Sequence, residues 1–245
     1  MIDPINEMNR RGPVRTAGAS LWIGVIAVIM IVGGAVGSGQ GVWPFTIGLL
    51  MVVLGLLFGL IGGIFGLVAM LWNRGGGDQG RRISIGLLLS LVSVVAVGPW
   101  IYRGFSNPPI HDVTTDIANR PAFTAIVVRD NIANDKWRAL HAKAYGDIQP
   151  LVLAKSQADV MTIAARLVTA RGWEVTPTAA DRIEATEIVS LFKFKDDVAI
   201  IATPSADGQS TIINMRSISR VGESDFGINA KRVRAFLADL KAAAI

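Results

Sequence analysis

Cysteine is missing from all 245 residues. That excludes disulfides, thiolate metal sites, iron–sulfur clusters and a cysteine nucleophile. Histidine is nearly missing, with only His111 and His141. No G-x-S-x-G, H-E-x-x-H or P-loop motif occurs, and no Gly-rich run follows a strand, so neither a cofactor nor a metal is expected. Three long stretches, 17–37, 44–72 and 83–101, lack Asp, Glu, Lys, Arg and His altogether. They therefore offer no proton or ion pathway.

What those stretches hold is apolar. Each reaches the ~18–20 residues needed to cross a bilayer as a helix, so the reading is three transmembrane helices. Trp22, Trp43, Trp72, Trp100 and Tyr102 lie near their ends, as interfacial aromatics do. The partner of this half is the lipid bilayer. In the second stretch Gly55, Gly59 and Gly63 recur every fourth position and leave a flat groove. That groove suits packing within the bundle or, alternatively, a homo-oligomer.

The net charge of +5 divides unevenly. Residues 1–104 carry seven Arg (10, 11, 15, 74, 81, 82, 103) against Asp3, Glu7 and Asp78, which gives 7 − 3 = +4. The remainder carries 17 basic and 16 acidic side chains, or +1. The excess thus flanks the membrane segments, and nucleic-acid binding loses its support. By the positive-inside rule the N-terminus and the 73–82 loop are cytoplasmic, which places the C-terminal domain outside. The expectation is a multi-pass inner-membrane protein with a periplasmic domain. Were the first stretch a cleaved signal peptide, the C-terminal domain would stay on the same side.

Residues 1–16 read as a polar tail and 103–121 as a linker rich in Pro, Asn and Asp. The domain from 122 to 245 mixes helix and strand signals. Ala122–Arg129 suits a short strand; 130–149 is irregular or partly helical, with Trp137 and Tyr145 as anchors. Ser156–Arg171 is a helix with a Ser156/Asp159 capping box and Gly172 at its stop. Strands are expected at Trp173–Thr176, Ile183–Lys195, Val198–Ala202 and Thr211–Ser219, with turns at 177–181, near Asp196 and at 204–209. A last amphipathic helix runs from about Asn229 to Ala243. Short connections favour antiparallel strands, so the fold class is a two-layer α+β domain behind a helical membrane region.

Three patches could carry chemistry. In the first, RSISRVGESDFGINAKRVR (216–234), Arg216 and Arg220 share one face of a strand and Ser217 takes the other. Asp225 and Asn229 sit at a helix start, with Arg232 in its first turns. Two Arg beside a helix N-terminus could bind a phosphate or lipid headgroup, or could instead pair internally with Asp196, Asp197 or Asp225. In the second, FKFKDD, Asp196 and Asp197 point to opposite faces and cannot form a close acid–base pair on a regular strand. The third is HDVTTD: His111, Asp112 and Asp116 could ligate a metal or act as acid and base, or could serve backbone turns.

HDVTTD followed by Pro-Ala-Phe, then IEAT, FKFKDDV and RSISRVGESDFGINAKRVRAFL, resembles the family known as domain of unknown function 1499, over roughly residues 105–242. Similar proteins tend to be Asp-Pro-rich after the Thr-Asp; here the text is Asp116-Ile-Ala-Asn-Arg-Pro121. The resemblance implies no activity, substrate or cofactor. It implies that the three patches belong to one domain. The expectation taken forward is a binding or interaction module for an anionic ligand, a lipid headgroup or a membrane-protein partner. The alternatives are a hydrolase or metal-dependent enzyme using the His111/Asp112/Asp116 and Asp196/Asp197 patches, and a structural membrane scaffold.

Overall fold

The computed structural model describes residues 4–72, 77–129, 134–189 and 191–245. Arg74, used above to orient the chain, lies outside them. The chain forms two compact units: residues up to Tyr102 together with Leu191–Lys193, and Arg103–Ser190 together with Phe194–Ile245.

The first unit is built from helices α1 (Pro4–Gly39), α2 (Phe45–Trp72) and α3 (Asp78–Ser106), whose last turn passes into the second unit. Each contains a segment long and apolar enough to cross a membrane. Helix α1 begins at Pro4, so most of the segment read as a tail is helical. At 28 residues α2 is about 42 Å long, more than a ~30 Å hydrocarbon layer requires. Lipid tails are as apolar as Leu, so helix association rests on close packing of small residues. Gly48, Gly55, Gly59, Gly62 and Gly66 are all buried. A β-carbon at Gly55 would lie 2.7 Å from Ile31 of α1, and one at Gly59 would lie 2.7 Å from Ser93 of α3. The Ser20 hydroxyl donates to the Gly62 carbonyl at 2.9 Å. Gly55 and Gly59 thus pack inside the bundle; Gly63 has room, with Ser90 3.5 Å from an added β-carbon.

The second unit is an α+β domain. Strands β1 (Asp112–Thr114), β2 (Leu151–Leu153), β3 (Glu174–Thr176), β4 (Arg182–Val189), β5 (Phe194–Pro204) and β6 (Thr211–Ser219) form one antiparallel sheet in the order β1-β6-β5-β4-β3, and β2 also pairs with β6. Helices α4 (Asp135–Tyr145), α5 (Gln157–Ala170) and α6 (Ile228–Ala243) complete it. Periodicity explains the layers. Val160, Ala164 and Val168 of α5 and Val233, Phe236 and Leu240 of α6 recur at helical spacing and are buried. They join Ile183, Ala185, Val198, Ile200, Ile213 and Met215 from one face of the sheet in a single core. Side chains of that size each contribute about 1.5–3 kcal/mol by leaving water. Ser156 caps α5 by accepting from the Asp159 N–H, as its capping box predicts.

Three expectations shift. The segment read as a linker contributes β1, paired with β6 through Asp112↔Ile218, Val113↔Ser217 and Thr114↔Arg216. The turn expected near Asp196 falls earlier, at Leu191–Lys193, with Lys193 at φ 54°, so Asp196 and Asp197 lie within β5. Ala122–Arg129 is not a strand but a loop bound to β4, as its backbone hydrogen bonds below explain.

Candidate functional site

Side chains alternate across a strand, so the two faces of this sheet carry different chemistry. Asp196, Ser217 and Ser219 project towards α6. There the Arg232 guanidinium donates to Asp196 (2.6 Å), to the Ser217 hydroxyl (2.9 Å), and to Glu187 and Asn229. Asn229 in turn donates to the His111 carbonyl and the Ser219 hydroxyl, both at 2.9 Å. The start of α6 is occupied too. Asp225 accepts from the N–H groups of Gly227 (2.9 Å) and Asn229 (2.6 Å). Burial pushes the Asp225 carboxyl up, against the opposing pull of those two donors. Asn229, Arg232 and the helix N-terminus therefore meet the chain's own groups.

Asp112, Glu184, Thr186, Asp197, Arg216 and Arg220 project from the opposite face. Asp112 receives Arg216 through two bonds (2.9 and 2.8 Å) and Arg120 through a third (2.7 Å). Arg216 also donates to the Pro121 carbonyl at 3.2 Å and lies over the Phe123 ring. Arg120 lies over the Trp137 ring, whose indole N–H donates to the Asp112 carbonyl at 3.1 Å. With Arg216 only 1% exposed, a ligand has no path to it. Of the two readings of Arg216, the structure displays the internal ion pair, with Asp112 as the partner.

Glu184 explains the loop at 122–129. Three successive backbone N–H groups, of Thr124 (2.6 Å), Ala125 (2.9 Å) and Ile126 (2.9 Å), converge on its carboxylate with the Thr124 hydroxyl (2.8 Å). Burial alone would push this carboxyl up, but the combined donors hold it below the ordinary carboxylate range. Donors that would pair with a neighbouring strand are spent on one side chain, so the segment cannot form a ladder.

The third patch does not assemble. Asp116 accepts from the N–H groups of Ala118 (2.9 Å) and Asn119 (2.8 Å), a turn formed by its own backbone. Asp112 is held by arginines. His111 is buried, with Nδ1 3.4 Å from the Glu223 carbonyl and no hydrogen-bond partner for Nε2 among the described residues. No cluster of three His, Cys, Asp or Glu side chains able to hold a metal occurs among the described residues.

What remains open is the end of the outer face at Arg220. This guanidinium bonds both oxygens of Asp197 at 2.8 Å and Thr186 at 3.2 Å, yet 41% of its side chain is exposed. Asp197 also accepts from the Thr186 hydroxyl at 2.7 Å. Hydrogen bonding to Asp197, followed by the charges of Asp197 and Glu174, holds Arg220 above its ordinary value. The Arg220 N–H donates to the Lys195 carbonyl at 3.0 Å, one step beyond the Asp196↔Ser219 pair. Lys195 therefore stands directly opposite Arg220 on the same face, and like charges so placed repel. Arg129 adds a third cation nearby, donating to the carbonyls of Ser219 (3.3 Å) and Gly222 (2.8 Å). Sequence reasoning missed Lys195, Arg129, Arg120 and Glu184. Lys195 was visible in the FKFKDD run, but only the β5–β6 register sets it on the Arg220 face.

Three apolar helices followed by this sheet define a membrane-associated protein carrying a small α+β domain. The family described as protein of unknown function (DUF1499) matches residues 112–240, more than half of the chain. The protein belongs to that family. No curated protein matches it.

Proposed function

We propose that the protein is a membrane-anchored binding module whose C-terminal domain engages a phosphate-type anion through Arg220 and Lys195, with Arg129 beside them. The carrying observation is the exposed cation pair: Lys195 is exposed and stands opposite Arg220 on the adjacent strand, and Asp197 balances only one of the two charges. Asp112, Asp196 and Asp197 each face an arginine, which suits a rigid scaffold better than acid–base chemistry. The arginine-rich flanks of the first helices support an inner-membrane protein with this domain on the extracytoplasmic side. There the phosphate could come from a lipid headgroup or from a soluble ligand.

The test is native mass spectrometry of the full-length protein titrated with phosphatidylglycerol and, separately, with inorganic phosphate. Lys195→Glu should abolish adducts that the parent protein retains, without lowering its melting temperature. Adducts equal in the two proteins would overturn the reading. Retention of phosphatidylglycerol alone would identify the lipid as the source, and retention of inorganic phosphate would identify a soluble ligand.

A further inference from the structure

The loop after β6 holds an aromatic side chain in an unfavourable posture. Phe226 has φ 55°, a left-handed conformation that bulky residues avoid, and Gly227 follows at φ 78°. Such strain persists only where the surroundings impose it, and it clusters at functional surfaces. Here it displays the ring: Phe226 is 39% exposed, and Val221 at the start of the same loop is 37% exposed.

The loop's neighbours say where this ring is displayed. A β-carbon on Gly104 would lie 3.0 Å from the Phe226 ring, and the Asp225 N–H reaches the Ile110 carbonyl at 3.4 Å. The loop thus lies along residues 104–110. Gly104 belongs to the last turn of α3, three residues beyond the apolar run that ends at Ile101. Phe105, next to Gly104 on that turn, is 89% exposed. The approach to Gly104 therefore brings Phe226 within about one helical turn of the end of that run, and Val221 opens the same loop. Aromatic rings favour the edge of a hydrocarbon layer because an apolar body can face the acyl chains while its surroundings stay hydrated. Arg103, Arg129 and Arg220 flank the apolar trio in sequence or space and outnumber Glu223, the exposed acid of the loop. That balance suits a lipid surface.

We propose that Phe226, Val221 and Phe105 form a foot that inserts into the bilayer interface, so that the loop after β6 binds lipid beside the third span. The proposal rests on the chain spanning a membrane and not on the anion site at Lys195. The absence of cysteine makes it directly measurable, because Phe226→Cys supplies the sole thiol in the chain. A nitroxide attached there in the full-length protein, reconstituted into phosphatidylcholine vesicles, reports depth through its relative accessibility to oxygen and to a water-soluble nickel chelate. Val152→Cys, exposed in β2, is the aqueous reference. The expected result is a lipid-like ratio at 226, dominated by oxygen, against a water-like ratio at 152. A ratio at 226 equal to that at 152 would overturn the proposal, even if phosphatidylglycerol adducts persisted. Val221→Cys provides the same readout should the label at 226 lower the melting temperature. Insertion into neutral phosphatidylcholine by a protein without phosphatidylglycerol adducts would keep the foot and remove the anion reading.

Discussion

Arg216 and Arg220 point to the same face of the same sheet and meet opposite fates. Arg216 is sealed beneath the 115–129 segment and holds Asp112 with two parallel bonds. Arg220 forms the same two-pronged pair with Asp197 but keeps much of its surface in solvent and faces Lys195. Residue type and strand parity are identical, so neither decides between structural ion pair and binding site. The cover decides. Loop 122–126 is tied down over one end of the face by Glu184, and nothing comparable among the described residues closes the other.

This comparison predicts graded costs, and the steepest is at Arg216. Arg216→Ala leaves the carboxylate of Asp112, wholly buried, facing Arg120 alone, and breaking a buried pair from one side costs about 3–5 kcal/mol. Chemical denaturation should show a loss of that order. Arg216→Lys should recover little of it, because an ammonium cannot satisfy two carboxylate oxygens and the Pro121 carbonyl from one plane. Full stability in Arg216→Ala would mean that the closed end is no scaffold.

Glu184→Gln comes next. The amide keeps the shape of the side chain but removes the charge on which four loop donors and Arg182 converge, and hydrogen bonds to charged groups contribute about 1.5–3 kcal/mol each. Relaxation of the loop will recover part of this, so a loss of about 2 kcal/mol is expected. The sharper readout is hydrogen exchange: amides of Thr124, Ala125 and Ile126 should exchange faster in the variant, while those of β5 and β6 stay protected. Uniform change across the sheet would show that Glu184 does not act through the loop.

The order of these effects tracks what could be read from the chain. Period-2 and period-3.6 patterns located β6, α5 and α6 because apolar side chains there repeat over several turns or pleats. Parity would set Asp196 and Asp197 on opposite faces of a strand, but a turn was expected there; β5 runs through both and gives them to Arg232 and Arg220. The loop at 122–129 was misread because its apolar residues suit a strand by propensity. Only a buried carboxylate from a distant strand, unforeseeable from local sequence, diverts its N–H groups. The same holds for the pairing of Asp112 with Arg216, which are far apart in the chain. Strand β1 was lost in a stretch whose Pro and Asn signal a linker, and three residues are too few to show a period.

A smaller effect concerns His141 in α4. Its Nε2 accepts from the Thr114 N–H at 3.1 Å, which secures the end of β1 in the closed region, and this fixes the neutral ring. Burial lowers its pKa, with Asp112 and Asp147 pulling weakly the other way, and the rings of Trp137 and Tyr145 pack on either side. The folded state therefore binds the proton less readily than the unfolded chain does. The neutral ring's contribution is full above the ordinary value near 6.5 and is lost as pH falls from there through the folded value. Melting temperature should decline as pH falls below about 6.5, and His141→Gln should flatten that decline. A slope of equal steepness in the variant would assign it to other groups.

The least change in stability is expected at Lys195, and that makes it the most discriminating substitution at the open end. No side-chain hydrogen bond or ion pair ties Lys195 to its own domain among the described residues. Truncating it removes the repulsion with Arg220 without orphaning a partner. Lys195→Ala should therefore melt at or slightly above the parent temperature in lipid-free detergent. Were the pair only a tolerated accident, the same gain would persist with phosphatidylglycerol present. Were it a site, anionic lipid should raise the melting temperature of the parent protein and not that of Lys195→Ala, because only binding to the folded state stabilises it. The crossing of those two melting curves, and not the height of either, separates a cation pair kept for a ligand from one that the fold merely carries.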